Sequence, residues 1–241
     1  MKINIVIPIA GRGSRFSKVG FELPKPLIDV KGKPMTYWAV KSFENLEKFD
    51  IDYVFVVLQE HVDNYNIDEE IKKILPGKKV TIISIPEVTR GQSETCLKAE
   101  KYIDNDERLI IYNGDTYSVS NLEPEINNDE IEGIIPCFQS EDPRYSYAKL
   151  NNKSYVEEVA EKKAISTNAS SGLYYFRYGK DFVKAAKAAI NNNITHNNEY
   201  YVGPLYNALI KEGKKIKICD IKSNWVLGTP EERDFFIKNF N

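Results

Sequence analysis

Residues 3–26, INIVIPIAGRGSRFSKVGFELPKP, constrain this chain more than any other stretch. Residues 3–9 are an apolar, β-branched run, too short for a helix and long enough for a strand buried on both faces. A loop follows at once. In it Gly11 and Gly13 allow backbone angles closed to other residues, so that successive N–H groups can turn inward and cradle phosphate oxygens. Arg12, Arg15 and Lys25 add three cations, and Pro24 and Pro26 fix φ on either side of the lysine. Two such cations brought within about 5 Å repel by about 3 kcal/mol at an effective dielectric near 20. A polyanion in the loop removes that cost.

Two familiar phosphate loops do not match. No Gly-Lys-Ser/Thr triplet follows the first glycine, as a Walker loop requires, and Phe16 is too bulky for the third small residue of a dinucleotide turn. The stretch resembles instead the signature of the sugar-phosphate nucleotidyltransferases, the NDP-sugar pyrophosphorylases and related cytidylyltransferases: a strand, Gly-x-Gly-(Ser/Thr)-Arg-(Phe/Leu), then Pro-Lys-Pro about ten residues on. The resemblance implies that Ala10, Gly11, Arg12, Gly13 and Ser14 wrap a nucleoside triphosphate, that Arg15 holds its phosphates, and that Lys25 faces the α-phosphate.

Charge and cysteine usage narrow the class. A net charge of −2 argues against a general nucleic-acid binder, whose affinity needs a basic face. Cys96, Cys137 and Cys219 are far apart, which suggests neither a zinc site nor a disulfide framework. No signal-peptide pattern and no apolar run of membrane-spanning length stands out, so a soluble, cytoplasmic protein is expected, compatible with a homo-oligomer.

Along the chain, strands are expected at 27–30, 53–58, 80–85 and 109–112, alternating with helices at 34–46, 67–75 and from Ser93 onward; that rhythm implies parallel crossovers. It then changes. Strand candidates crowd together at 131–138, 147–150, 155–159 and 173–176, before helices at 180–190 and 201–211, a strand at 215–219 and a last helix from about Pro230. The expected architecture is a single α/β domain over residues 1–241, Rossmann-like of the GT-A type, with a mixed, mostly parallel sheet flanked by helices. Its nucleotide-binding half runs to about residue 115, and a β-rich acceptor-binding half follows.

Asp115 follows Gly114 at the carboxyl end of the strand at 109–112, the edge where ligands bind in open α/β sheets. That placement suits a magnesium ligand, although an aspartate after glycine also begins turns. The resemblance favours Mg²⁺. Glu161-Lys162, alone, reads as a solvated surface pair, but the family follows such a pair after about ten residues with Gly-(Ile/Leu)-Tyr-x-Phe, matched here from Gly172 to Phe176. The resemblance then implies an acceptor pocket in which Glu161 takes sugar hydroxyls and Lys162 the acceptor phosphate. Tyr147 and Gly172 are assigned to the same pocket.

Two departures from the pattern matter. The family often carries a metal-binding aspartate two residues before the glycine of its C-terminal Gly-Thr, where this chain has Val226. Many members read the base with a glutamine five residues before the glycine matching Gly91, where this chain has Pro86; Gln92 is the substitute, and the base stays open. His61 and His196 lie near no nucleophile and are expected at the surface, and the pairs Tyr174-Tyr175 and Tyr200-Tyr201 are candidates for lining a pocket or packing in the core. The expected activity is transfer of a nucleotidyl group to a sugar 1-phosphate or similar acceptor, with release of pyrophosphate. A non-catalytic sensor on the same fold, or a glycosyltransferase of related architecture, is the alternative; the latter would need an Asp-x-Asp motif after a buried strand, and none stands there.

Overall fold

The computed structural model describes residues 1–240. Its strands, in chain order, are β1 (Lys2–Pro8), β2 (Asp29–Val30), β3 (Lys33–Pro34), β4 (Asp50–Leu58), β5 (Lys79–Ile85), β6 (Arg108–Tyr112), β7 (Thr116–Ser120), β8 (Gly133–Gln139), β9 (Ser146–Leu150), β10 (Val156–Glu161), β11 (Asn168–Ser170), β12 (Leu173–Phe176) and β13 (Ile216–Val226). β2 and β3 make a small hairpin, and the other eleven form one sheet. Its order is β10-β9-β11-β8-β12-β6-β1-β4-β5, with β13 beside β8 and β7. β1 lies between β4 and β6, parallel to both, and β5 extends that quartet in parallel. From β12 onward the pairings are antiparallel, apart from β13 on β8. Helices cover the sheet, giving the mixed α/β fold that the alternation of strands and helices implied.

β1 shows why the first apolar run behaves as it does. Ile3, Ile5 and Ile7 pack into the core on one face of the sheet while Val6 packs into the core on the other, all fully buried. Period-2 alternation between two covered faces makes a nearly continuous apolar run, interrupted by the buried Asn4, whose amide donates to Glu107 at 2.9 Å; each apolar side chain contributes about 1.5–3 kcal/mol on burial. A third cluster, around Trp38, Tyr117 and Phe236, seats the last helix (Pro230–Asn239) against the helix Met35–Lys41; the Trp38 and Phe236 rings cross edge-to-face at 4.9 Å.

Several elements differ from expectation. The helix expected over 34–46 stops after Lys41 and resumes only as a 3-10 turn at Glu44–Leu46. Its break is the buried Ser42, whose hydroxyl accepts from the backbone N–H of Ser118 and meets the Tyr112 hydroxyl at 3.2 Å. The helix expected over 201–211 begins as a 3-10 turn at Gly203–Leu205 and becomes regular only at Tyr206–Lys211. β13 outruns its expected length: a register shift between Ile221 and Ser223 carries it from β8 to β7. β7, β11 and the helices Gln59–Tyr65 and Leu122–Ile126 were not anticipated.

His61 is a correction. It is 5% exposed, its ring packs edge-on to Tyr65, and burial lowers its pKa. The three cysteines are free and buried. Among the described residues, no helix is long and apolar enough to cross a membrane.

Candidate active site

A cavity of about 520 Å³ opens at the carboxyl ends of β1 and β6 and is bounded on its far side by β9, β10 and β12. It is reached from the first loop. Gly13, at φ 60°, turns the chain into a single helical turn at Ser14–Ser17, and a Cβ there would lie 2.7 Å from that of Lys25. Glycine therefore lets the loop close against the Pro24-Lys25-Pro26 segment, and Arg15 and Lys25 both line the cavity.

Lys25 Nζ donates to Asp115 Oδ2 at 2.5 Å, bridging residues 90 apart in sequence. Burial pushes the Asp115 carboxyl up, but the charge and hydrogen bond of Lys25 outweigh it and hold the carboxyl below its ordinary range. The backbone of Asp115 is fixed too, since its carbonyl accepts from the N–H of Leu227 at 2.8 Å, tying the end of β6 to the chain just past β13. Gly228 follows. A Cβ on it would sit 3.3 Å from Asp115 Oδ2, 3.3 Å from Glu232 Oε2 and 3.6 Å from Val226 Cγ1, so its missing side chain leaves a gap walled by two carboxylates. Glu232 is in turn ion-paired with Arg144, whose Nε lies 3.1 Å from Asp142 and whose guanidinium covers the Tyr145 ring at 4.7 Å.

The far side of the cavity holds the second constellation. Glu161, at the end of β10, is 8% exposed and accepts a hydrogen bond from the Ser146 hydroxyl, which itself accepts from Tyr174 at 3.3 Å. Burial raises its pKa, and the Ser146 hydrogen bond and the charge of Lys162 only partly oppose this. Lys162 adopts φ 51°, uncommon for a residue with a side chain, and directs Nζ to the Tyr201 hydroxyl at 2.5 Å.

Of the residues singled out in the sequence, Gly11, Gly13, Arg15, Lys25, Gln92, Gly114, Asp115, Glu161, Lys162 and Gly172 line this one cavity. Gln92 donates to Asn113 Oδ1 at 2.6 Å. Others fall outside the lining. The Arg12 guanidinium is exposed and pairs with Glu60 at 3.5 Å; Ala10 is buried, and Ser14 opens the short helix beside the loop. Gly91 is needed where the backbone of Tyr200 crosses it, 2.5 Å from the position of a Cβ. Tyr147 is fully buried with its hydroxyl on the carbonyl of Asp142, because strand alternation on β9 gives the cavity Ser146 instead. The same alternation sends Tyr174 to the cavity and leaves Tyr175 in the opposite core. Arg144, Ser146, Asn224 and Glu232 were missed, since single polar residues in short strands and loops carry no local signal of where they meet.

The model of the nucleotidyl transferase family matches residues 5–230 of the chain. The chain belongs to that family. Relatives of this nucleotidyl transferase include the UTP–glucose-1-phosphate uridylyltransferase AglF of Haloferax volcanii, 25% identical over 96% of this chain and 94% of that protein. The bifunctional protein GlmU of Aliarcobacter butzleri is 26% identical over 90% of this chain but only 48% of its own length, so the chain spans about half of that curated relative. Among solved structures, the nucleoside-diphosphate-sugar pyrophosphorylase of Vibrio cholerae RC9 superposes with a TM-score of 0.85 at 27% identity, covering 98% of this chain and 100% of that one.

Proposed function

We propose that the protein transfers a nucleotidyl group from a nucleoside triphosphate to a sugar 1-phosphate or a similar phosphorylated acceptor, releasing pyrophosphate, in the cytoplasmic synthesis of nucleotide sugars for polysaccharides. One observation carries the reading: Arg15, Lys25 and Asp115 face the same 520 Å³ cavity as Glu161 and Lys162. Triphosphate-type and acceptor-type groups thus share one chamber, as a reaction between two bound ligands requires. The family relationship and the nucleotide-sugar enzymes among its relatives support the same chemistry.

The acceptor phosphate is already a competent nucleophile, so its oxygen attacks the α-phosphorus in line and no covalent enzyme intermediate is needed. The protein supplies position and charge. Arg15 and Lys25 neutralise the phosphates, and Glu161 orients the acceptor through its hydroxyls while Lys162 holds the acceptor phosphate. Nucleotidyl transferases that use triphosphates generally use divalent metal ions, and the oxygen donors beside Gly228 fit a hard cation. Asp115 would hold Mg²⁺, which when bound supplies further charge neutralisation and fixes the geometry of the triphosphate. Pyrophosphate release, measured for the common triphosphates crossed with phosphorylated acceptors, tests the reading. At least one pair turns over. Tight binding of such a pair with no pyrophosphate from any combination would make the protein a sensor instead.

A further inference from the structure

The C-terminal motif places Val226, an apolar side chain, in the cavity lining beside Asp115 and Glu232. Its Cγ1 lies 3.6 Å from the point where a Gly228 Cβ would stand, and the Asp115 and Glu232 carboxylate oxygens lie 3.3 Å from that same point. The two oxygens are therefore separated by no more than twice that distance. We propose that Glu232 supplies the second protein oxygen of the divalent-cation site, in place of the carboxylate that Val226 lacks; the inference rests on the nucleotidyl-transfer reading with Asp115 as the first.

Three features support it. Glu232 is not needed as a helix cap: its backbone N–H bonds the Thr229 hydroxyl, and it is the Glu231 carboxylate that reaches that hydroxyl. The cavity has a further oxygen to offer. Asn224 lines the cavity two residues before Val226, on the same face of β13, and its buried Oδ1 has no hydrogen-bond partner. An orphaned acceptor of this kind costs about 1–3 kcal/mol unless something fills it, and a cation or its water does so.

The resting charges complete the argument. Across the cavity floor they run Lys25, Asp115, gap, Glu232, Arg144, with each carboxylate held by its own cation. Two neighbouring carboxylates are thus tolerated in the free protein. When a cation enters the gap with a triphosphate, both carboxylates turn to the metal; Lys25 becomes free to pair with phosphate oxygens, and Arg144 keeps Asp142. Metal and triphosphate then bind cooperatively, each releasing the partner of the other.

The test is Mn²⁺ binding followed by electron paramagnetic resonance, with the α,β-methylene analogue of each common triphosphate. Glu232→Gln is expected to weaken Mn²⁺ in the ternary complex by at least about tenfold, the scale of losses at metal-supporting residues. Adding Val226→Asp to that variant restores binding, because the new carboxylate faces the same gap. Arg144→Gln breaks the same ion pair without removing the oxygen and leaves Mn²⁺ binding equal or tighter. If Glu232→Gln binds Mn²⁺ like the wild type, or Arg144→Gln weakens it as much, Glu232 serves only to hold the arginine and the inference is overturned. Should Glu232→Gln fail to fold, Val226→Asp alone decides: tighter Mn²⁺ binding supports the site and unchanged binding overturns it. Asp115→Asn separates the two levels. If it weakens Mn²⁺ and Glu232→Gln does not, only this inference fails; if Asp115→Asn has no effect, the reading of Asp115 fails with it.

Discussion

Lys25 and Asp115, 90 residues apart, form an ion pair of 2.5 Å that joins the first loop to the end of β6 at the floor of the cavity. Before any ligand arrives, the pair ties together the two residues proposed to meet the triphosphate and its metal. It also gives Asp115 a strong partner within the chain, besides the metal that the resemblance implies. Asp115→Asn should therefore cost the empty protein some stability as well as most activity.

The pH dependence follows from the same pair. The folded-state pKa of Asp115 is depressed, so its contribution is fully present above its ordinary value of 3.8 and is lost as pH falls through the lower folded value. Thermal melts below about pH 4 should show the wild type losing this contribution, with Asp115→Asn shallower over the same range. Parallel curves would mean that the ion pair does not hold in solution.

Arg15→Ala and Lys25→Ala should each lower turnover by at least about a hundredfold at saturating substrates, since each removes a cation directed at charge developing on the phosphates. Steady-state rates with the cognate pair measure this. Near-wild-type rates in both variants would remove the first loop from the reaction.

Glu161 makes a prediction of opposite sign in stability and in binding. Its folded pKa is raised, so the stability it contributes is fully present below its ordinary value of 4.5 and is lost as pH rises through the folded value; at neutral pH its charge opposes folding. Glu161→Gln keeps an acceptor for Ser146 and should raise the melting temperature by about 1–3 °C at pH 7 while weakening the acceptor far more than the triphosphate. Calorimetric titration of each ligand, alongside the melts, checks both parts. A loss of triphosphate affinity with intact acceptor binding would put the pocket on the wrong side.

Lys162 separates backbone strain from charge. At φ 51°, Lys162→Gly should be about 1 kcal/mol more stable than Lys162→Ala, because only glycine takes that conformation without penalty. Both variants should lose acceptor affinity alike. Equal stability in denaturant titrations would argue that the left-handed conformation is absent in solution.

What the sequence revealed divides along physical lines. β1 and the residues at its carboxyl end were legible because a doubly buried strand is almost wholly apolar, with Asn4 its one buried polar residue, and the tight turn at Gly13 needs glycine. Lys25 and Asp115 were each visible, but their contact was not, since nothing local records which residues the parallel crossovers bring together. The far end of β13 was missed for a related reason: residues 221–226 read as IKSNWV, and the polar positions that break the strand pattern include Asn224, which lines the cavity. Glu232 was hidden by its setting, because an acidic residue in the first turn of a helix is what capping alone would select.

The account as a whole is tested most directly by the stoichiometry of one reaction. With the triphosphate and acceptor selected by the substrate panel, pyrophosphate and the nucleotide-linked acceptor should appear in equal amounts, and omitting the acceptor should abolish pyrophosphate release. Pyrophosphate formed at the same rate without acceptor, accompanied by free nucleoside monophosphate, would show that water is the nucleophile and contradict the assignment of Glu161 and Lys162 to an acceptor pocket.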